Sequence, residues 1–354
     1  MNIGIVTIYD NNNYGNKLQC FALQKKLISM GANVTVIHDE DKRLSIKIKR
    51  RIKKFFERKK KSNVEELKRK KYDEFNMKIN YSKYTVDFAH PRIKEKFDYF
   101  IVGSDQVWNP NFNRLNNLDV LRFTESNKRI SYAASFGVND VPEAYQKRIT
   151  KEISKFKAIS VREDRGKEII ERYTRRKDVY VLIDPTMLLS SEDWEELLVK
   201  PARTPNRRYI LTYFLGGISE NIGNEINRVA RENDCEIVNV LDMNTPFYPI
   251  GPSEFLWLEK NAFLICTDSF HSIVFAMLFD RPFVVFERSG VKESMNSRIE
   301  TLISKFKLKN IQYNDKYITK ENLKHDYTEA YRILEEERKK SDEFLRRALN
   351  IEKQ

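Results

Sequence analysis

The feature that most constrains the fold is a repeated alternation of short apolar runs with stretches of helical periodicity. The first 40 residues contain a strand-like run (NIGIVTIY), a polar loop, a helical stretch that ends at Gly31, and a second strand-like run (NVTVIHD). Glycine suits the left-handed position that closes a helix. A strand, a helix and a strand in this order predict a βαβ unit, and therefore a parallel sheet.

The same alternation continues in two series along the chain. The first series contains FDYFIVG, RISYAASFG, AISVRE and VYVLIDP, and the second contains RYILTYFLG, CEIVNVL, AFLICTD and PFVVFE. Between them, Pro201 and Pro205 predict a linker, because proline and the residue before it resist helix continuation. We therefore expect an α/β fold with two parallel-sheet domains and a cleft between their sheet ends.

The length of 354 residues exceeds the usual size of one domain, which agrees with this division. We expect a first domain over residues 1–200 with a basic helical insertion at 42–80, and a second domain over 206–325. Residues 326–354 show amphipathic helical spacing and predict a helix that could cross back to the first domain.

The positive charge of the chain is confined to one segment. Residues 42–71 hold 16 Lys or Arg against three Glu, so their net charge of +13 equals that of the whole chain. A uniformly basic groove is therefore not supported, and no nucleic acid is expected as a partner. Within residues 44–61, apolar side chains at helical spacing among Lys and Arg indicate a helix that binds an anionic membrane surface. A helix that covers the cleft or the core edge with a solvated basic face is the alternative.

Cysteine usage and the absence of a targeting segment indicate the compartment. Cys20, Cys235 and Cys266 lie far apart among apolar neighbours, which predicts buried free thiols in a reducing environment. We see no secretory signal and no apolar run long enough to cross a membrane. The cytoplasm is the expected location, and docking by the basic segment would place the protein at the inner face of the plasma membrane. No His or Cys cluster has metal-ligand spacing, so no metal is expected.

Polar loops that follow the strands are the candidate ligand-binding segments, since ligands of open α/β sheets bind beyond the carboxyl ends of the strands. In the loop TDSFHS, Ser269 is a plausible N-cap, which places His271 in the first turn of a helix. The positive end of a helix disfavours an imidazolium, so His271 should stay neutral unless an anion binds there. Packing of His271 against the neighbouring strand is the alternative.

Two arginines point to the same kind of ligand. Arg162 follows the strand AISV, and its planar fork can hold a carboxylate or a phosphate through two parallel hydrogen bonds. Arg298 begins a helix after the last strand of the second domain and could add a further positive contact. The alternatives are a surface Arg162 paired with Glu163 or Asp164, and a solvated Arg298.

Seven motifs follow one another over about residues 1–310: NYGNKLQCFALQ, FIVGSDQVWNP, SYAASFG, SVREDRG, VLIDPTMLL, GPSEFL and CTDSFHSIVFAMLFDRPFVVF. In their order and spacing they resemble the polysaccharide pyruvyl transferase family. The resemblance implies two Rossmann-like domains in the GT-B arrangement of glycosyltransferases. It also implies phosphoenolpyruvate as the donor substrate, no further cofactor, and a glycan or lipid-linked oligosaccharide as the acceptor.

The resemblance implies specific roles for residues of this chain. Arg162 and His271 fall on donor-binding positions, with His271 as the candidate general acid. Motif positions that face the cleft are occupied by Asn16, Ser104, Asp105 and Glu254. Asp105 is the candidate base, and Ser269 and Arg298 are expected to bind substrate. Many family members carry glycine at position 272 and an acidic residue in the first loop, where this chain has Ser272, Asn16 and Lys17.

The expected activity is the transfer of pyruvate from phosphoenolpyruvate to a sugar of a cell-surface polysaccharide or its lipid-linked precursor, which forms a ketal and releases phosphate. Two alternatives remain open. One is a GT-B glycosyltransferase that uses a nucleotide sugar, in which Glu254 would hold a sugar or ribose hydroxyl. The other is a relative that binds glycans or anions without catalysis.

Overall fold

The computed structural model describes residues 1–9, 13–37, 63–82, 92–112, 114–288, 297–309, 311–313 and 317–352. These residues build two separate sheets in which every strand pair is parallel. Helices connect the strands within each sheet, as expected for the α/β class. Most strand residues are buried, as expected for a parallel sheet whose faces are covered by helices.

The first sheet has six strands in the order β2-β1-β3-β4-β5-β6. Its strands are β1 (Asn2–Val6), β2 (Asn33–Ile37), β3 (Tyr99–Val102), β4 (Arg129–Ala134), β5 (Ala158–Val161) and β6 (Val179–Val181). The second sheet has four strands in the order β10-β9-β7-β8. Its strands are β7 (Tyr209–Tyr213), β8 (Glu236–Asn239), β9 (Leu264–Thr267) and β10 (Phe283–Val285).

Ten α-helices lie in the described part of the chain. In chain order they are α1 (Tyr14–Ser29), α2 (Asn63–Asn76), α3 (Glu143–Glu152), α4 (Asp164–Thr174), α5 (Ser191–Glu195), α6 (Glu220–Glu232), α7 (Pro252–Asn261), α8 (Phe270–Leu278), α9 (Ser297–Lys305) and α10 (Thr328–Leu349). As the sequence predicts, α1 ends just before Gly31, whose φ of 85° is left-handed.

The strand order of each sheet fixes where a ligand can bind. In the first sheet the chain moves away from β1 in opposite directions, through β2 on one side and β3 on the other. In the second sheet β8 and β9 flank β7 in the same way. The loops that leave β1 and β3, and those that leave β7 and β9, therefore diverge and open a crevice beyond the carboxyl ends of the strands.

Helix α10 contacts both halves of the molecule. Phe344 packs against Tyr132 of β4, with ring centroids 6.4 Å apart. Nearer the start of the helix, the Tyr331 hydroxyl donates to the Met277 carbonyl of α8 over 2.8 Å. The carboxyl-terminal helix thus lies across both the first and the second sheet regions.

Helix α2 lies within residues 63–80, the described part of the expected insertion at 42–80. Its Lys71 pairs with Glu254 of α7 over 2.9 Å, and its Tyr72 stacks on Tyr14 of α1. The segment 44–61, in which we expect a membrane-binding helix, lies outside the described residues, so membrane docking stays a prediction. Across the described ranges, no helix combines the length and the apolar character needed to span a bilayer.

Candidate active site

A cavity of about 530 Å³ opens between the carboxyl ends of the two sheets. Both sheets contribute to it. Its lining comes from the loops and helix starts that follow β1, β3, β7 and β9, from Arg288 after β10, and from α9. Five residues that the sequence places at a site line this cavity: Asn16, Asp105, Ser269, His271 and Arg298. The cavity is therefore the candidate active site.

The cavity has two chemically different parts. Asn16, Asp105, His271 and Arg298 are each at least 94% buried, and we call them the charged floor. Tyr9, Phe112 and Leu215 also line the cavity but are 40–50% exposed, and we call them the apolar mouth.

Arg162 lies directly behind the charged floor and does not line the cavity. It follows β5, is 3% exposed, and its guanidinium lies 4.4 Å from the ring centroid of Phe270. Nη1 donates to Asp184 over 2.7 Å, and Nη2 donates to Asp105 over 3.2 Å. Two carboxylates thus engage this arginine. It is not the surface residue that the alternative interpretation expected, and it is not open to the cavity either.

Asp184 is the central buried acid of the site, and the sequence analysis did not select it. Its Oδ2 accepts from Arg162 and, over 2.7 Å, from the hydroxyl of Ser104. Its Oδ1 accepts from the backbone N–H and the hydroxyl of Thr186, over 3.0 and 2.8 Å. Burial raises the pKa of Asp184, but His271 and Arg162 outweigh burial and hold the pKa well below its ordinary value.

Ser104 is therefore part of the support of the site and not of its surface. It is fully buried behind the cavity, where its hydroxyl bonds Asp184 and its backbone N–H donates to Gln19 over 3.0 Å. Asp184 follows β6 just as Arg162 follows β5, so the rule that selects loops at strand ends could have found it. Its Asp-Pro sequence instead reads as the start of a turn.

Asp105 uses both of its carboxylate oxygens inside the protein. Oδ2 accepts from the side-chain amide of Asn16, and Oδ1 accepts from Arg162 and from the backbone N–H of Gln106. Burial raises the pKa of Asp105, but Arg162, His271 and Arg298 outweigh burial and lower it. A carboxylate with a lowered pKa accepts a proton poorly, so these contacts argue against Asp105 as a general base.

His271 occupies the first turn of α8, as the sequence predicts, with Ser269 at the N-cap position. The side chain of Ser269 makes no capping hydrogen bond. Nε2 of His271 is buried, has no hydrogen-bond partner in the described ranges, and lies 3.7 Å from Oδ2 of Asp184. The imidazole of His271 therefore lies beside the central buried acid of the site.

Gly15 of α1 sets the position of the His271 ring. A Cβ at residue 15 would overlap the imidazole, with Nδ1 and Cγ as its nearest atoms. Only a glycine lets the first turn of α1 approach the histidine this closely. A helix of the first sheet region thus holds the candidate acid of the second.

Two helix amino termini meet at the cavity. The N-cap residues of α1 and α8 are Asn13 and Ser269, and both line it. The first N–H groups of a helix have no partners within the helix and carry a partial positive charge. Their convergence favours an anion in the space between them.

Arg298 is the unpaired cation of the charged floor. It is 5% exposed and makes no hydrogen bond or ion pair with any residue in the described ranges. Burial, and next the charge of Arg162, lower its pKa to about 10. The charges of Asp105 and Glu163 act on it in the opposite sense without a direct contact. A buried guanidinium that lacks a hydrogen-bonded counterion is costly, and an anionic ligand would lower that cost.

Sequence reasoning missed two further arginines that line the cavity. Nε of Arg288 lies 3.3 Å from Oδ2 of Asp268, and the same carboxylate accepts the backbone N–H of Leu215 at Oδ1 and that of Gly216 at Oδ2. Arg114 pairs with the buried Asp119. Both arginines belong to irregular loops without helical or strand periodicity, which explains why pattern analysis passed over them.

Glu254 is a further expected site residue that does not line the cavity, and unlike Arg162 and Ser104 it makes no hydrogen bond or ion pair with the charged floor or with Asp184. It occupies the first turn of α7, where Oε2 accepts the backbone N–H of Gly251 over 2.7 Å. Its Oε1 pairs with Lys71 of α2. Both oxygens therefore stabilise the helix start and its contact with α2, and this position gives no support for a substrate-binding role.

The comparisons with known proteins agree with the motifs. The family model for polysaccharide pyruvyl transferase matches residues 13–290, well over half of the chain. The chain belongs to the polysaccharide pyruvyl transferase family. This membership identifies a transferase and supports a general role in polysaccharide pyruvylation. A comparison with curated protein sequences finds no significant match.

Solved structures show how this family member is built. It resembles UDP-N-acetylglucosamine 2-epimerase from Rickettsia bellii, with a TM-score of 0.52 and 11% identity over 99% of this chain and 97% of that one. It also resembles S. aureus MnaA, solved with UDP, with a TM-score of 0.50 and 13% identity over the same shares of the two chains. At this identity the likeness concerns the fold alone, which is the expected GT-B-like arrangement of two Rossmann-like domains.

Proposed function

We propose that the protein transfers pyruvate from phosphoenolpyruvate to a hydroxyl pair of a sugar in a cell-surface polysaccharide or its lipid-linked precursor. The observation that carries this proposal is that one cavity holds the Arg298 guanidinium, which has no hydrogen bond or ion pair in the described ranges, and the His271 imidazole, whose Nε2 makes no hydrogen bond there and lies 3.7 Å from Asp184. Both are buried, and both lie where two helix amino termini converge.

Phosphoenolpyruvate has the charge that this cavity lacks. Its phosphate and carboxylate together carry about three negative charges near neutral pH. Behind the floor, Arg162 is already engaged by Asp105 and Asp184, so Arg298 and the helix termini supply the positive charge that remains for a ligand. We assign Arg298 and the helix termini to the anionic groups of the donor, and His271 to proton donation.

The proposed reaction balances without a further reactant. His271 donates a proton to the methylene carbon of phosphoenolpyruvate, and one sugar hydroxyl oxygen bonds to the adjacent carbon. The carbon–oxygen bond to phosphate then breaks, the electron pair leaves with the phosphate, and the second sugar hydroxyl closes the ketal. Of the two hydroxyl protons, one replaces the proton that His271 gave, and the other leaves with the phosphate. Asp105 acts here as a positioning residue that fixes Asn16 and Arg162.

Direct binding tests the donor assignment. Arg298→Gln removes the unpaired cation and should weaken phosphoenolpyruvate binding by roughly 10- to 100-fold, since a hydrogen bond to a charged group contributes about 1.5–3 kcal/mol. Isothermal titration calorimetry measures this change. Arg332→Gln is the matched control, because Arg332 is 57% exposed on α10 and lies outside the cavity lining.

The same titration separates the donor from a nucleotide sugar. If UDP or UDP-N-acetylglucosamine binds and phosphoenolpyruvate does not, the protein is a nucleotide-sugar enzyme and the proposal is wrong. Equal phosphoenolpyruvate affinity in the wild type and Arg298→Gln would show that Arg298 does not bind the donor, and the donor site would then not be this cavity. The urea midpoint of each variant, measured without ligand, shows whether it is folded.

A further inference from the structure

The apolar mouth is an unusual surface for this protein. In the described ranges, four aromatic side chains are more than one third exposed: Tyr9, Phe112, Tyr180 and Tyr317. Two of these four line the one cavity that holds the charged floor. An exposed aromatic ring leaves apolar surface in water, which is unfavourable unless a ligand covers it.

Tyr9 is held in place although half of it is exposed. Tyr81 packs against its ring edge-on, with centroids 5.1 Å apart. Nζ of Lys17 lies 4.1 Å from the Tyr9 ring centroid and makes a cation–π contact. These contacts fix the ring and leave its exposed surface at the entrance of the cavity.

Phe112 ends a short turn that follows β3, and it faces the cavity next to Gln106. The amide of Gln106 is oriented by a chain of hydrogen bonds in the same loop. The backbone N–H of Asn111 donates to Oδ1 of Asn109 over 2.9 Å, and Nδ2 of Asn109 donates to Oε1 of Gln106 over 2.6 Å. Oε1 of Gln106 is therefore occupied, and its Nε2 is the donor that remains for a ligand.

Asn16 supplies the complementary acceptor. Its Nδ2 donates to Asp105, and this contact leaves Oδ1 for the cavity. A fixed donor at Gln106 and a fixed acceptor at Asn16 suit a ligand with hydroxyl groups, because a hydroxyl both donates and accepts. Apolar rings at the mouth suit the C–H face of the same ligand.

We propose that the apolar mouth is the acceptor subsite, in which Tyr9 and Phe112 stack on a pyranose ring while Gln106 and Asn16 bind its hydroxyl groups. The inference rests on the proposed function, since it directs a hydroxyl pair of that sugar toward a donor on the charged floor. It assigns to this chain the residues that select the acceptor: two aromatic rings and two amides with defined donor and acceptor ends.

Saturation-transfer NMR with methyl glucoside, methyl galactoside and methyl mannoside, each at millimolar concentration and with phosphoenolpyruvate present, tests the subsite. Transfer to the ring C–H protons of at least one pyranoside is expected for the wild type. Phe112→Ala should weaken this binding roughly 3- to 10-fold, since an aromatic contact contributes about 0.5–1.5 kcal/mol. Phe112→Trp keeps a flat ring and should retain it.

Two further variants sharpen the result. Gln106→Leu keeps the size of the side chain but removes the donor, and it should weaken pyranoside binding as well. Tyr317→Ala is the matched control, because Tyr317 is 67% exposed but lies outside this cavity, and its variant should bind like the wild type.

The outcomes separate this inference from the proposed function. Absence of pyranoside contact in the wild type, or unchanged contact in Phe112→Ala, would overturn the acceptor subsite. Calorimetry measures phosphoenolpyruvate binding independently, and Phe112→Ala should keep that affinity within about twofold because Phe112 is not on the charged floor. Failure of phosphoenolpyruvate to bind, with pyranoside contact intact, would refute the donor assignment and leave the sugar subsite standing.

Discussion

The two halves of the molecule reach the cavity in opposite electrostatic states. At the end of the first sheet, Arg162 lies between two carboxylates, Asp105 and Asp184, and its charge is more than matched within the protein. In the second half, Arg298 is equally buried but has no partner among the described residues. The first half therefore engages its arginine with its own carboxylates, whereas the arginine of the second half has no such contact, which is why we propose that it binds the anionic donor. Variants of the two arginines should behave in opposite ways.

Removal of Arg162 should have the largest effect on stability. Arg162→Gln leaves Asp105 and Asp184 buried without their shared cation, and the loss of one partner of a buried ion pair costs about 3–5 kcal/mol. Urea unfolding measures this change in the free energy of unfolding. Arg298→Gln is the direct comparison and should change that free energy by less than about 1 kcal/mol, because it removes an unpaired charge. An equal decrease in the free energy of unfolding for the two variants would contradict the proposed difference between the two arginines.

The contact between the halves depends on Gly15. Gly15→Ala forces the His271 ring out of its position, and overpacking of this kind costs about 1–3 kcal/mol in the free energy of unfolding. If His271 donates the proton, ketal formation should also slow without a comparable loss of phosphoenolpyruvate affinity.

Gly223→Ala is the matched control for Gly15→Ala. Gly223 also lies within a helix, and a Cβ there would meet only Ile218 at 3.8 Å. The alanine should therefore stabilise α6 by up to about 1 kcal/mol, because it has the higher helix propensity. A Gly15→Ala variant that is as stable and as active as Gly223→Ala would show that the histidine does not need this close approach.

Acid should weaken the buried ion-pair cluster at the end of the first sheet. The pKa values of Asp105 and Asp184 are lower in the folded protein than their ordinary value of 3.8. The unfolded chain therefore binds protons first as the pH falls, so their stabilising contribution is complete well above about pH 4 and is lost progressively below it. Asp184→Asn starts less stable but should lose less of its free energy of unfolding between neutral pH and about pH 3. Identical slopes for variant and wild type in urea unfolding would contradict this account.

The smallest expected effect is stabilisation by a simple anion. Inorganic phosphate at ten times its dissociation constant should add about 1.4 kcal/mol to the free energy of unfolding of the wild type. The same phosphate concentration should add much less to Arg298→Gln, whereas Arg332→Gln should respond like the wild type. Thermal unfolding with and without phosphate measures the difference, and an equal response in all three proteins would place the anion elsewhere.

Local patterns predicted most of the scaffold. The alternation of strands and helices, the left-handed Gly31 after α1 and the place of His271 in the first turn of α8 agree with the structure. These features depend on residues close together in the chain, whose spacing and caps act within one or two turns. The position of Glu254 in a family motif did not predict its surroundings correctly. Its carboxylate caps α7 and pairs with Lys71, away from the cavity.

The sequence alone determined the two parallel-sheet domains and the loops at which a ligand could bind, because strand and helix periodicities are local properties of the chain. Only the tertiary structure decided which charges neutralise each other. Asp105, Arg162 and Asp184 come from three loops of the first sheet. Nothing in their spacing along the chain shows that Arg162 pairs with two carboxylates whereas Arg298 makes no such pair in the described ranges. The free energy of a buried charge depends on its neighbours in space, and packing between distant segments sets those neighbours.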